Sequence, residues 1–156
     1  MSELIDACEQ NDTEEALKLI ESGVNIDLQK DGYTALMYSC NNNNTELTLK
    51  LIENKANLDL QDTYEDTALF KACDRNNTNL TLKLIENKAD INIQNKYGQF
   101  ALILSCDNNN IEIALKLIEN KANLDLQNMD GCTVLMKACE DNGNYTEIIS
   151  YLLELY

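Results

Sequence analysis

TALMYSC occupies residues 34–40, and variants of it return as TALFKAC at 67–73, FALILSC at 100–106 and TVLMKAC at 133–139. The steps between Cys40, Cys73, Cys106 and Cys139 are each 33 residues, and Cys8 opens the series 32 residues earlier. A second phrase keeps the same step: TLKLIENKA at 48–56 and 81–89, ALKLIENKA at 114–122, and a looser ALKLIESGV at 16–24. A fixed period in this range marks stacked units, none of which can bury its apolar face without neighbours. The repetition is therefore structural before it is functional.

Within one period the local signals are clear. Ala35, Leu36, Ser39 and Cys40 place small and apolar residues at helical spacing, which predicts a short first helix. Asparagine clusters follow at 41–44, 76–77 and 108–110. Asn tolerates left-handed backbone better than other side chains, so these predict tight turns. Asp12-Thr13, Asn44-Thr45 and Asn77-Thr78 then supply N-caps for a second helix ending near Asn54, Asn87 and Asn120. The alternating tails NLDLQ (57–61), DINIQ (90–94) and NLDLQ (123–127) lead to a hairpin-like connector at Gly32, Gly98 or Gly131.

The bulk composition agrees with one globular domain. The chain has 156 residues, 44 % of them hydrophobic and 25 % charged, enough for one sizeable core. No apolar run approaches the twenty residues a membrane span needs. The start MSELIDACEQ is acidic and reads as no signal peptide, so the expected location is cytoplasmic. A net charge of −15 argues against nucleic acid or an anionic membrane as partner, since either needs neutralising Lys and Arg. The five in-register cysteines read as five copies of one buried, reduced site; only Cys132 leaves the period, as an expected surface thiol.

Helix, turn, helix and hairpin in 33 residues resembles the ankyrin repeat. The resemblance rests on Gly32-Tyr33-Thr34-Ala35-Leu36, Ser39-Cys40 and Lys55-Ala56-Asn57-Leu58-Asp59, and it covers five units near 1–30, 31–62, 63–95, 96–128 and 129–156. It implies an all-α solenoid with β-hairpin-like connectors, forming a single domain. The departures are specific. The family's T-P-L-H becomes T-A-L-M, T-A-L-F, F-A-L-I and T-V-L-M, so Met37, Phe70, Ile103 and Met136 are expected to replace by packing the histidine that ties neighbouring loops. The glycine after the second helix survives as Gly23 but is Lys55, Lys88 and Lys121 elsewhere. A left-handed Lys costs roughly 1–2 kcal/mol, which predicts a stability below that of a consensus array.

Chemistry is hard to find. There is no histidine, so His-activated nucleophiles and His metal sites have no carrier. No CxxC pair and no glycine-rich phosphate loop occurs, and no cofactor is expected. The Asp62–Asp66 turn could weakly attract calcium, but it lacks the spacing of a twelve-residue calcium loop. These absences favour a non-enzymatic protein.

The resemblance implies a concave binding surface of connector tips and first helices. Those positions also vary while the second helices are nearly copied. The candidate partner-binding residues are Asp31, Tyr33, Tyr64, Asp66, Tyr97, Gln99, Met129 and Cys132 at the tips, and Tyr38, Lys71, Leu104 and Lys137 on the helices. Asp74, Arg75, Asp107 and Asp141 lie just beyond. Tyr33, Tyr64 and Tyr97 are the expected anchors, offering large area with few rotatable bonds. The leading expectation is a scaffold binding another protein. The alternative is an acidic decoy that masks a basic surface. Apolar residues on two faces of YTEIISYLLELY add an expectation of weak self-association through the C-terminal helix.

Overall fold

The structure, a computed structural model, describes residues 2–140 and residue 150. Asp141 and the stripe in YTEIISYLLELY lie outside the described residues. Among the described residues the chain forms α1 (Glu3–Glu9), α2 (Thr13–Glu21), α3 (Ala35–Asn41), α4 (Thr45–Glu53), α5 (Ala68–Asp74), α6 (Thr78–Glu86), α7 (Ala101–Asp107), α8 (Ile111–Glu119) and α9 (Val134–Glu140). Odd-numbered helices pack on one another in sequence order, as do the even-numbered ones. Within each of the first four units the two helices pair, giving a two-layer stack.

The boundaries follow from side chains. Thr34 and Thr67 cap α3 and α5 by accepting the N–H of Met37 and Phe70, each at 3.1 Å. The Met37 sulfur in turn takes the Thr34 N–H at 3.4 Å, doing at this position the work of a capping-box carboxylate. Asp12, Asn44, Asn77 and Asn110 cap the second helices. Each cap of this type is worth about 1 kcal/mol. The turns between helices are left-handed at Asn11, Asn43, Asn76 and Asn109, with φ between 52° and 57°. Lys55, Lys88 and Lys121 are left-handed too, at φ 67°, 70° and 65°, where Gly23 holds φ 80°. The strain expected from these lysines is therefore present.

The core is one continuous apolar layer between the two rows of helices, from Leu4 and Cys8 through Leu36, Leu47 and Leu80 to Phe100, Ile113 and Val134. Cys8, Cys40, Cys73 and Cys106 are buried in it and unbridged, as the period implies. Cys139 departs from that expectation and is exposed. Its burial would require a second helix over α9, and the described residues provide none. Burial raises the other four thiols to about 12. A thiol reagent at pH 8 should therefore label Cys132 and Cys139 quickly and the remaining four only on unfolding. Peptide mapping of the labelled protein checks this.

Polar ladders, rather than packing alone, tie one unit to the next. Each N-cap asparagine faces both ways: Asn44, Asn77 and Asn110 donate from Nδ2 to the left-handed Asn11, Asn43 and Asn76 of the preceding turn at 2.8, 2.9 and 2.7 Å. A second ladder runs along the tails, where Asp27, Asp59 and Asn92 accept the N–H of Asn57, Asp90 and Asn123, all at 2.8 Å. Gln29 and Gln94 donate to the Gln61 and Gln127 carbonyls at 2.9 and 2.8 Å. The expected packing link holds in part: Met37 and Ile103 are buried and Phe70 half-buried, but Met136 is exposed, with no following unit described above it.

Candidate partner-binding surface

The connectors come in two lengths. Asp31 and Gly32, at φ 52° and 86°, form a two-residue turn of the primed type, and Lys30 and Tyr33 exchange backbone hydrogen bonds at 3.0 and 2.9 Å. This is the one antiparallel bridge among the described residues, and no strand is present there. The next three connectors are one residue longer. In each, an Asx side chain organises the tip: Asp62 Oδ1 accepts the N–H of Tyr64 and Asp66, Asn95 those of Tyr97 and Gln99, and Asn128 those of Asp130 and Cys132, all within 3.0 Å. A left-handed residue closes the tip, namely Glu65, Gly98 or Gly131.

These longer tips stack. The Lys96 N–H donates to the Tyr64 carbonyl at 3.0 Å, and the Met129 N–H to the Tyr97 carbonyl at 3.3 Å. A Cβ on Gly98 would stand 2.9 Å from the Met129 nitrogen, so glycine is what lets these two tips approach. The outcome is a row of side chains facing outward, with Tyr64 51 %, Tyr97 52 % and Met129 74 % exposed.

Tyr33 does not join that row. The shorter first connector puts it in register with Asp66, Gln99 and Cys132, and it is half-buried against Tyr38, ring centroids 4.9 Å apart. The Lys71 ammonium sits 5.0 Å from the Tyr33 ring centre. Burial, followed by the nearness of Glu9, keeps the Tyr38 hydroxyl above its ordinary pKa. Lys30 links the same region to α1 through ion pairs with Asp6 and Glu9.

Lys71 is expected on an open helix face and Asp66 at an exposed connector tip, and the structure buries both. Lys71 is 8 % exposed and lies 2.6 Å from Asp66 Oδ2 and 2.8 Å from Asp62 Oδ2. Asp62 Oδ2 has no well-directed hydrogen bond and is held by charge alone. Asn95 completes the cluster by donating to Asp66 Oδ1 at 2.8 Å. Burial disfavours the ammonium, but Asp62, Asp66 and Tyr33 outweigh it and raise the Lys71 pKa above its ordinary value. The two carboxylates of the candidate calcium turn thus face an internal cation. Leu104 is buried as well, because its register is the one Lys71 fills in the preceding unit. In this conformation none of the three meets a partner directly.

The remaining candidates are reachable to different degrees. Asp31, Asp74, Arg75 and Asp107 are exposed, and Gln99, Cys132 and Lys137 are half-buried. Arg75 already donates twice to Asn41 Oδ1, at 2.8 and 3.0 Å, and Lys137 pairs with Asp107 at 3.2 Å.

No metal-holding group of His, Cys, Asp or Glu occurs among the described residues. The family model described as ankyrin repeats, in three copies, matches residues 4–95 and again 75–156. The chain belongs to the ankyrin-repeat family. Ankyrin repeats generally mediate protein–protein interaction, and the family is generally a non-enzymatic scaffold. No curated protein matches this ankyrin-repeat chain. No helix among its described residues is long and apolar enough to cross a membrane.

Proposed function

We propose that this ankyrin-repeat protein is a non-enzymatic cytosolic scaffold that captures a partner protein on its stacked connector tips. The observation that carries the reading is the row Tyr64, Tyr97 and Met129, exposed on backbone that neighbouring units hold in place. Large apolar side chains left in water on a rigid support are what interface anchors look like before a partner covers them. Tyr33 is left out of the anchor set, since it is half-buried and packed on Tyr38 and Lys71.

The test is a native-lysate capture with the wild type and the Tyr64→Ala/Tyr97→Ala double variant. The expected result is a partner retained by the wild type and lost from the variant, with unchanged far-ultraviolet circular dichroism. Capture that ignores the tyrosines contradicts the proposal. The net charge of −15 favours a second reading, an acidic decoy that masks a basic surface. A decoy acting through overall charge would lose affinity steeply with salt yet stay indifferent to the tyrosines.

A further inference from the structure

We infer that the tip row selects an extended, Lys- or Arg-bearing segment of the partner, its cations lying over Tyr64 and Tyr97. The inference rests on the proposed function and narrows it to one partner chemistry.

The argument begins with what the tips leave unpaired. Asp31 on the first tip, Glu65 on the second and Asp130 on the fourth are exposed, and none has an ion-pair partner among the described residues. The bases around them are largely committed elsewhere. Lys30 pairs with Asp6 and Glu9, Lys71 with Asp62 and Asp66, and Lys137 with Asp107, while Arg75 is bonded to Asn41. Only Lys96 stands exposed within the tip row. The surface therefore offers two tyrosine faces and surplus carboxylate, within a chain whose overall field is strongly negative. A cation over an aromatic face gains from the ring quadrupole, and nearby carboxylates add to the attraction. An acidic or phosphate-bearing partner would meet repulsion instead.

Spacing sets the shape of the occupant. Adjacent tips contact through backbone hydrogen bonds, so equivalent positions repeat every two strand widths, roughly 10 Å. Crossing three tips takes about 20 Å, or about six residues of extended chain at ~3.3 Å each. Alternate side chains of such a segment point the same way, letting long Lys or Arg side chains reach successive tyrosines. Met129 ends the row with an apolar contact for one uncharged residue.

The probe is a fluorescein-labelled twelve-residue peptide alternating Arg and Ala, compared with one alternating Glu and Ala, by fluorescence anisotropy on the full chain. The wild type should bind the Arg peptide, with affinity falling as salt rises, and should ignore the Glu peptide. Tyr64→Ala/Tyr97→Ala, which leaves net charge unchanged, should weaken binding roughly tenfold or more. Glu65→Gln/Asp130→Asn should weaken it and flatten the salt dependence, and Lys96→Glu should strengthen it. Equal binding by the tyrosine variant, or equal binding of the Glu peptide, overturns the inference. A natural partner that needs the tyrosines but docks an acidic or uncharged segment overturns the inference and leaves the proposed function standing. Indifference of every captured partner to the tyrosines removes both.

Discussion

Replacing Lys71 by Leu lowers the unfolding free energy by about 3–5 kcal/mol, because it strands two buried carboxylates without their cation. Asp62 and Asp66 are 6 % and 7 % exposed, too little for water to take over the role of the ammonium. The chain itself carries the remedy. One period later the same three registers hold Asn95, Gln99 and Leu104, a neutral set in place of a charged one. Lys71→Leu combined with Asp62→Asn and Asp66→Gln should therefore recover most of the loss, since buried ion clusters exchange for well-packed neutral groups at little net change. Asn95 keeps a partner in that variant, because a glutamine oxygen can accept its Nδ2. The wild type should also weaken at high pH relative to the triple variant. The Lys71 pKa is raised above the unfolded value of 10.5, so its contribution is complete below that pH and is lost as pH climbs toward the folded value. Urea unfolding of the three proteins from pH 7 to 11 measures both effects. A single variant as stable as the wild type would mean the cluster is held by something other than charge.

The second large effect has the opposite sign. Lys55, Lys88 and Lys121 are left-handed where Gly23 does the same work without a Cβ. Each left-handed lysine costs roughly 1–2 kcal/mol, and the greater unfolded freedom of glycine returns part of the gain. Lys→Gly at all three positions should add about 2–3 kcal/mol and raise Tm by roughly 5–10 °C. The measurement belongs in about 0.5 M salt, where the lost attraction between lysine and the helix C-terminus is screened. Lys→Ala at the same positions keeps the strain and should leave Tm nearly unchanged. An equal rise in both variants would point to charge rather than backbone as the cause.

Much of this architecture was legible in the sequence because its signals are local and repeated. Asn44 and Asn43 announce a cap and a turn by residue type, and the same words recur one period on. The ladders were hidden by that very sufficiency. Asn77 is explained as an N-cap, so nothing in its local context demands the second bond to Asn43. The Lys71 cluster left a trace that register comparison reveals, since Asp62, Asp66 and Lys71 change together into Asn95, Gln99 and Leu104. Tyr33 misled for a different reason. Its connector is one residue shorter, so a tyrosine that looks equivalent to Tyr64 and Tyr97 points at Lys71 instead. Cys139 is exposed at a periodic position where the described residues place no second helix over it.

Deletion of residues 75–107, one full period, tests most directly whether the chain is a stack of interchangeable units. The cut joins α5 to the turn before α8, leaves Asp62, Asp66 and Lys71 intact, and brings Asn110 to the place of Asn77, where Asn43 is left to accept its Nδ2. A stacked array predicts unchanged helical ellipticity per residue and one cooperative urea transition at a lower midpoint. Loss of helix per residue, or a broad transition without a folded baseline, would contradict it.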